Sequence, residues 1–206
     1  MNDAPLDHAA ELARTREFFA VRAADWEVRF PDDGPRYEAA VAELGLHPGQ
    51  AVLDAGCGTG RALPALRRTV GLDGTVLGLD LTPEMLQQAA RAGRAAVAAL
   101  VVGDCGQLPV RTAALDAVFA AGLIAHLPEP AANLAELARV TRPGGRLALF
   151  HPIGRAALAA RHGRRITPED LRAEPNLRPL LAGAGWRLER YVDEDSRFLA
   201  LAVRVG

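Results

Sequence analysis

The segment from Val52 to Gly60, reading Val-Leu-Asp-Ala-Gly-Cys-Gly-Thr-Gly, constrains this chain more than any other. An apolar run stops at Asp54, glycines alternate at 56, 58 and 60, and helical spacing follows at Leu63, Leu66 and Val70. Glycine accepts left-handed backbone and lets a bound molecule lie against bare main chain. A strand turning through glycines into a helix aims backbone N–H groups and the positive helix end at one point above the sheet. In open α/β sheets ligands bind at such points. Taken alone the motif marks only a glycine-rich turn, because glycine also serves tight packing.

The rest of the sequence supplies the sheet. Residues 51–55, 75–81, 98–103, 115–121 and 146–151 are short, nearly continuous apolar runs, as expected of parallel strands covered on both faces. Between them Leu63, Leu66 and Val70, and then Leu134, Leu137 and Ala138, mark single helix faces. Thr82-Pro83-Glu84 reads as a helix start with a capping hydroxyl. Repeated strand–helix units predict a doubly wound, mostly parallel α/β sheet. A helix over 177–184 stopped by Gly185, then strands at 186–192 and 198–205 about an acidic turn, 193–196, close the chain. So short a link forces the last pair to be antiparallel.

Residues 1–44 look helical, with Tyr37, Ala40, Val41 and Leu44 on one face. Phe18, Phe19, Trp26 and Phe30 place four of the ten aromatics within thirteen residues, a candidate lid over a pocket. No linker or repeat divides the chain, so 1–206 is expected to be one domain, 1–44 a helical cap and 45–206 the core. Twenty-four basic against 25 acidic residues give a net charge of −1, which argues against nucleic acid or an anionic membrane as partner. Two scattered cysteines, no secretory start and no long apolar run suit a cytoplasmic protein, and no metal cluster is read. Monomer and homodimer both remain open.

A second acid sharpens the glycine turn. Asp80 ends the second strand 20 residues beyond Gly60, where a carboxylate reaches a ribose diol. Any adenosine-bearing cofactor would satisfy it. Dinucleotide folds use G-x-G-x-x-G, whereas this turn is G-x-G-x-G with Asp54 two residues ahead. That acid repels a pyrophosphate and attracts an ammonium.

With Asp54-Ala-Gly-Cys-Gly-Thr-Gly60 as its most specific part, the chain resembles class I S-adenosylmethionine-dependent methyltransferases from about residue 37 onward, within the small-molecule group that includes the ubiquinone and menaquinone biosynthesis enzymes. The resemblance implies a seven-stranded sheet of order 3-2-1-4-5-7-6 with the last strand reversed. It also implies S-adenosyl-L-methionine as cofactor, S-adenosyl-L-homocysteine as product and a small-molecule acceptor. Tyr37, Asp54, Gly56, Cys57, Gly58 and Gly60 would surround the methionine end, and Asp80 would hold the ribose. Leu81 and Met85 would flank the adenine, Asp104 would take its amino group, and Cys105 would offer a backbone N–H. A carbonyl near Ala121 would face the ammonium, and Arg142-Pro-Gly-Gly-Arg146 matches the turn before strand five.

Methyl transfer depends chiefly on alignment, which can contribute about 7 to 11 kcal/mol. A base matters only for hydroxyl or acidic-carbon acceptors. His126 and His151, at the ends of strands four and five, are the candidates, although His126 reads first as packing at a helix start. His8, His47 and His162 read as surface residues. The run Arg155, Arg161, His162, Arg164 and Arg165 follows strand five and could serve an anionic substrate or be a solvated face. Two other functions stand beside the enzyme reading. One is a non-catalytic S-adenosylmethionine-binding sensor; the other, opposed by the loop spacing and the final hairpin, is a nicotinamide-dependent dehydrogenase.

Overall fold

A computed structural model describes residues 8–29 and 33–206. Phe30, one of the four clustered aromatics, lies outside them. The chain runs α1 (His8–Ala20), α2 (Trp26–Arg29), α3 (Gly34–Leu44), β1 (Ala51–Ala55), α4 (Leu63–Val70), β2 (Thr75–Asp80), α5 (Pro83–Arg91) and β3 (Ala99–Val102). It continues through β4 (Leu115–Ala121), α6 (Pro130–Val140), β5 (Thr141–His151), α7 (Arg155–Arg161), α8 (Glu174–Gly183), β6 (Trp186–Glu194) and β7 (Arg197–Arg204). The seven strands form one sheet of order β3-β2-β1-β4-β5-β7-β6, the order the resemblance implies. β1 to β5 pair in parallel, and β7 is antiparallel to both β5 and β6.

The central strands β1, β2, β4 and β5 are apolar because both of their faces are buried. Val52, Val76, Phe119, Ala148 and Phe150 meet Ala40, Val41, Leu44, Leu63, Leu66 and Val70 from α3 and α4. Their neighbours Leu53, Leu79, Val118 and Leu149 turn the other way onto Leu134, Leu137, Leu177 and Leu181 of α6 and α8. Side chains alternate along a strand, so each second residue serves the opposite layer. At roughly 1.5–3 kcal/mol per large apolar side chain, these two clusters supply the main drive to fold. Trp186 ties the hairpin to the second layer, its indole donating to the Leu134 carbonyl at 2.9 Å. No helix among the described residues is long and apolar enough to cross a membrane.

Three local expectations are corrected. The Arg142–Gly145 segment is not a turn ahead of strand five but part of β5, which begins at Thr141 opposite Leu115. A register shift between Leu115 and Ala117 absorbs the extra residues, with Gly144 at φ +76°. Thr82 has the extended backbone of a cap residue, yet its hydroxyl makes no capping bond to α5. The amide of Thr82 is instead bound by Asp80 Oδ1 at 2.8 Å. The final turn is also tighter than the acidic run suggests, because β6 extends through Glu194 and leaves only Asp195 and Ser196 between strands.

Candidate active site

β1 ends with Asp54 and Ala55 in the buried sheet, and the chain then turns through Gly56, Gly58 and Gly60 at φ +65°, +55° and +80°. Side chains rarely adopt that region, so glycine is required at all three. A Cβ on Gly56 would strike Leu123 at 2.8 Å and one on Gly60 would strike Leu63 at 2.6 Å, while Gly58 faces open space. The turn is fastened to β2 by the Cys57 amide, which donates to the Leu79 carbonyl at 2.9 Å.

Two carboxylates meet at this turn. Asp80 Oδ2 accepts the Gly58 N–H at 2.8 Å, and Oδ1 accepts that of Thr82. A carboxylate offers about four acceptor positions, so Asp80 retains acceptor capacity for hydroxyls. Asp54 is 2% exposed, and its Oδ1 is buried with no hydrogen-bond partner. Burial, and then the charge of Asp80, hold the Asp54 carboxyl well above the usual carboxylate range. Burial also lifts Asp80, against the pull of the Thr82 and Gly58 amides. A buried acid without a partner is costly unless a cation arrives.

The other implied contacts surround these acids. Cys105 is buried with its sulfur against the Gly56 amide, and burial and then Asp104 push its thiol up to about 12. Cys57 is likewise raised by burial, so both cysteines are inert thiols. Asp104 is half-buried, its Oδ1 accepts the Gly106 N–H at 2.9 Å, and Oδ2 lies 3.5 Å from His8 Nε2. His8 therefore sits over the Asp104 side of the site rather than apart from it, contrary to its reading as a mere surface residue. Leu81 is half-buried after β2, whereas Met85 is 1% exposed in α5. Tyr37 packs edge-on against Phe150 at 5.2 Å, and burial and then the charge of Asp54 raise its hydroxyl. Ala121 ends β4 opposite Phe150.

A latch that spacing did not reveal joins the cap to the turn. Glu27 on α2 binds the Thr59 hydroxyl and pairs with Arg94 at 2.8 Å and Arg61 at 3.5 Å. Arg61 also reaches the Trp26 carbonyl at 3.3 Å and Asp33 at 3.5 Å. Only folding brings residues 27, 59, 61 and 94 together.

Beside the turn, at the carboxyl ends of β4 and β5, opens a cleft of about 70 Å³. Its wall includes Ile124, Leu149, Phe150, Leu158 and Phe198, with His126, His151 and Arg172 as its polar members. Both candidate histidines thus line one cleft. His151 Nδ1 is 2.8 Å from the Ile153 carbonyl and 3.1 Å from its N–H, which orients the ring. Burial and then Arg172 outweigh the Ile153 bond and hold this imidazole below 6.5. His126 is more exposed, under Phe19 at 5.0 Å and Phe18 at 6.4 Å, and desolvation followed by Arg172 lowers it too. Phe19 also meets Trp26 at 5.7 Å, so the cap's aromatics form one edge of the cleft.

Of the basic run after β5, Arg155 is not directed to a substrate: it is 9% exposed and bonded to Asp170 at 3.0 Å and Asp193 at 3.1 Å. Arg161, His162, Arg164 and Arg165 are exposed. Asp116, at the opposite end of the sheet, binds the Ala51 amide and Arg142, a structural role.

Comparison with known proteins agrees with this geometry. Residues 53–149 match the family described as methyltransferase domain. A malonyl-[acyl-carrier protein] O-methyltransferase of Serratia marcescens is 41% identical over 54% of this chain and 42% of its own length. A tRNA U34 carboxymethyltransferase of Methylococcus capsulatus is 34% identical over 77% of this chain and 50% of its own length. The chain thus spans half or less of these relatives. The crystal structure of a SAM-dependent methyltransferase from Aquifex aeolicus superposes with a TM-score of 0.69 at 28% identity, covering 82% of this chain and 89% of that one. In its domain match, its sheet order and its acid-bearing glycine turn, the chain is similar to the class I S-adenosylmethionine-dependent methyltransferases.

Proposed function

We propose that this chain transfers a methyl group from S-adenosylmethionine to a small organic acceptor by in-line displacement. The observation that carries the reading is the buried, unpartnered Oδ1 of Asp54, beside Asp80 and below the open space at Gly58. An ammonium satisfies the first acid and a ribose diol the second. When bound, the cofactor supplies a sulfonium-activated methyl group. Asp54 and the Ala121 carbonyl hold its methionine end, Asp80 the ribose, and Leu81, Asp104 and the Cys105 N–H the adenine, with Tyr37 and Met85 packed behind. The described residues within 1–44 act as the cap of one catalytic domain, and the latch from Glu27 keeps the cap on the glycine turn.

The acceptor occupies the cleft of His126 and His151, where apolar walls exclude water and fix the approach to the methyl group. With Nδ1 donating to the nearer Ile153 carbonyl, His151 presents Nε2 as a base for an acceptor that must lose a proton. His126 closes the cleft against the aromatic cap. A net charge of −1 favours a small acceptor over tRNA, although one relative acts on tRNA.

The test is incubation with trideuteromethyl-labelled cofactor and a panel of carboxylic acids, phenols, amines and thiols, followed by mass spectrometry. A product gaining one labelled methyl, with release of S-adenosylhomocysteine, is expected. His151→Ala should slow transfer to a protic acceptor by roughly 10²–10⁴-fold, the range of general base catalysis. Cofactor binding without product from the panel or a cell extract would instead favour the sensor reading.

A further inference from the structure

The cleft contains an arginine that the mechanism has not yet used. Among its lining residues Arg172 alone carries a formal charge; no acid lines the cleft, and the other polar side chains are two imidazoles. Arginines in partly buried sites are usually consumed by structural ion pairs, so the pairing of this one decides its meaning. Asp170 accepts from Arg172 Nε at 3.2 Å and from Nη2 at 3.3 Å, which occupies one edge of the guanidinium. That carboxylate is shared, because Arg155 Nε also binds Asp170 Oδ2, at 3.0 Å. The Nη1 edge of Arg172 is left without a protein acceptor among the described residues. Asp33, whose charge is also felt at His151, is engaged by Arg36 and Arg61.

The arginine is also held in place. Its amide donates to Asp170 Oδ1 at 2.9 Å, and its carbonyl accepts the Tyr191 hydroxyl at 2.8 Å. Asn176 fastens the same loop through the carbonyls of Pro168 and Asp170. A guanidinium fixed at one edge and open at the other is organised for a planar oxyanion, with little ordering left to be done on binding. Around it the wall is apolar, from Ile124 to Phe198.

We propose that the acceptor is a small, largely apolar molecule bearing an anionic oxygen group, a carboxylate or phenolate, and that Arg172 recognises this group. The inference rests on the methyltransferase reading and adds to it the class of acceptor. Neutral histidines suit such a ligand, since they leave Arg172 as the local charge while Nε2 of His151 stays able to accept a proton.

Calorimetry on the protein loaded with S-adenosylhomocysteine tests this, with benzoate, 4-nitrophenolate and the uncharged isostere benzamide as probes. Benzoate or the phenolate should bind at least tenfold more tightly than benzamide, and the stronger of the two identifies the oxygen acid preferred. Arg172→Gln should erase that preference while S-adenosylhomocysteine still binds, and Arg172→Lys should keep part of it. The comparison of probes on the unaltered protein needs no variant, so it stands even where a substitution impairs folding. Equal or absent binding of the anions, with S-adenosylhomocysteine bound normally, would overturn the role of Arg172 and leave the methyltransferase reading intact. Failure to bind S-adenosylhomocysteine would overturn both.

Discussion

Asp54 is the residue on which the account turns, because the fold holds it at a cost that a ligand relieves. Its carboxyl lies well above the ordinary 3.8 in the folded protein, so the folded state binds that proton more tightly than the unfolded chain does. The stability it contributes is therefore full below about pH 3.8 and lost as pH rises through the raised value. Above that raised value the ionised Asp54 weakens the ligand-free protein. Asp54→Asn should accordingly raise the ligand-free melting temperature by roughly 2–4 °C for each kcal/mol recovered. It should also weaken S-adenosylmethionine binding at least tenfold. Differential scanning fluorimetry between pH 4 and pH 8 checks both parts, and a variant less stable than the parent at pH 8 would contradict them. This acid was legible because it stands two residues ahead of a glycine turn. Arg172 was not, since it lies in the loop between α7 and α8 with no periodic signal and gains meaning only when folding sets it in one cleft with the histidines.

At the scale of elements, the cap is joined to the core by charge as well as by packing. Burial pushes the Glu27 carboxyl up, but the Arg94 and Thr59 bonds, aided by Arg61, outweigh it and hold it at about 2. The latch therefore stays charged across the physiological range and loosens only as pH falls towards that value. Glu27→Ala should speed hydrogen exchange over residues 23–29 several-fold and quicken S-adenosylhomocysteine release, with little change in global stability. Exchange equal to the parent's would show that packing of α1 and α2 alone holds the cap. The helices and strands of the core were legible from period, since burial on both faces leaves continuous apolar runs. Their ends were less so. β5 begins five residues before the expected 146 because a ladder can carry glycines through a register shift, which composition reads as a turn. The latch escaped the sequence reading altogether, because Glu27, the Thr59–Arg61 stretch and Arg94 lie far apart along the chain and are individually ordinary.

For the whole molecule, the sheet order places the open end of β1 between β2 and β4, so that Asp54, Asp80 and the histidine cleft share one edge. The reversed β7 covers β5 and brings Phe198 opposite His151, closing the cleft from the far side. A cofactor on the glycine turn and an acceptor in the cleft are thus neighbours by topology. Isothermal titration of S-adenosylmethionine, S-adenosylhomocysteine and NAD into the protein tests this account most directly. Both S-adenosyl compounds should bind, NAD should not, and Asp80→Ala should weaken the two at least tenfold. Binding of NAD alone, or an affinity indifferent to Asp80, would contradict it.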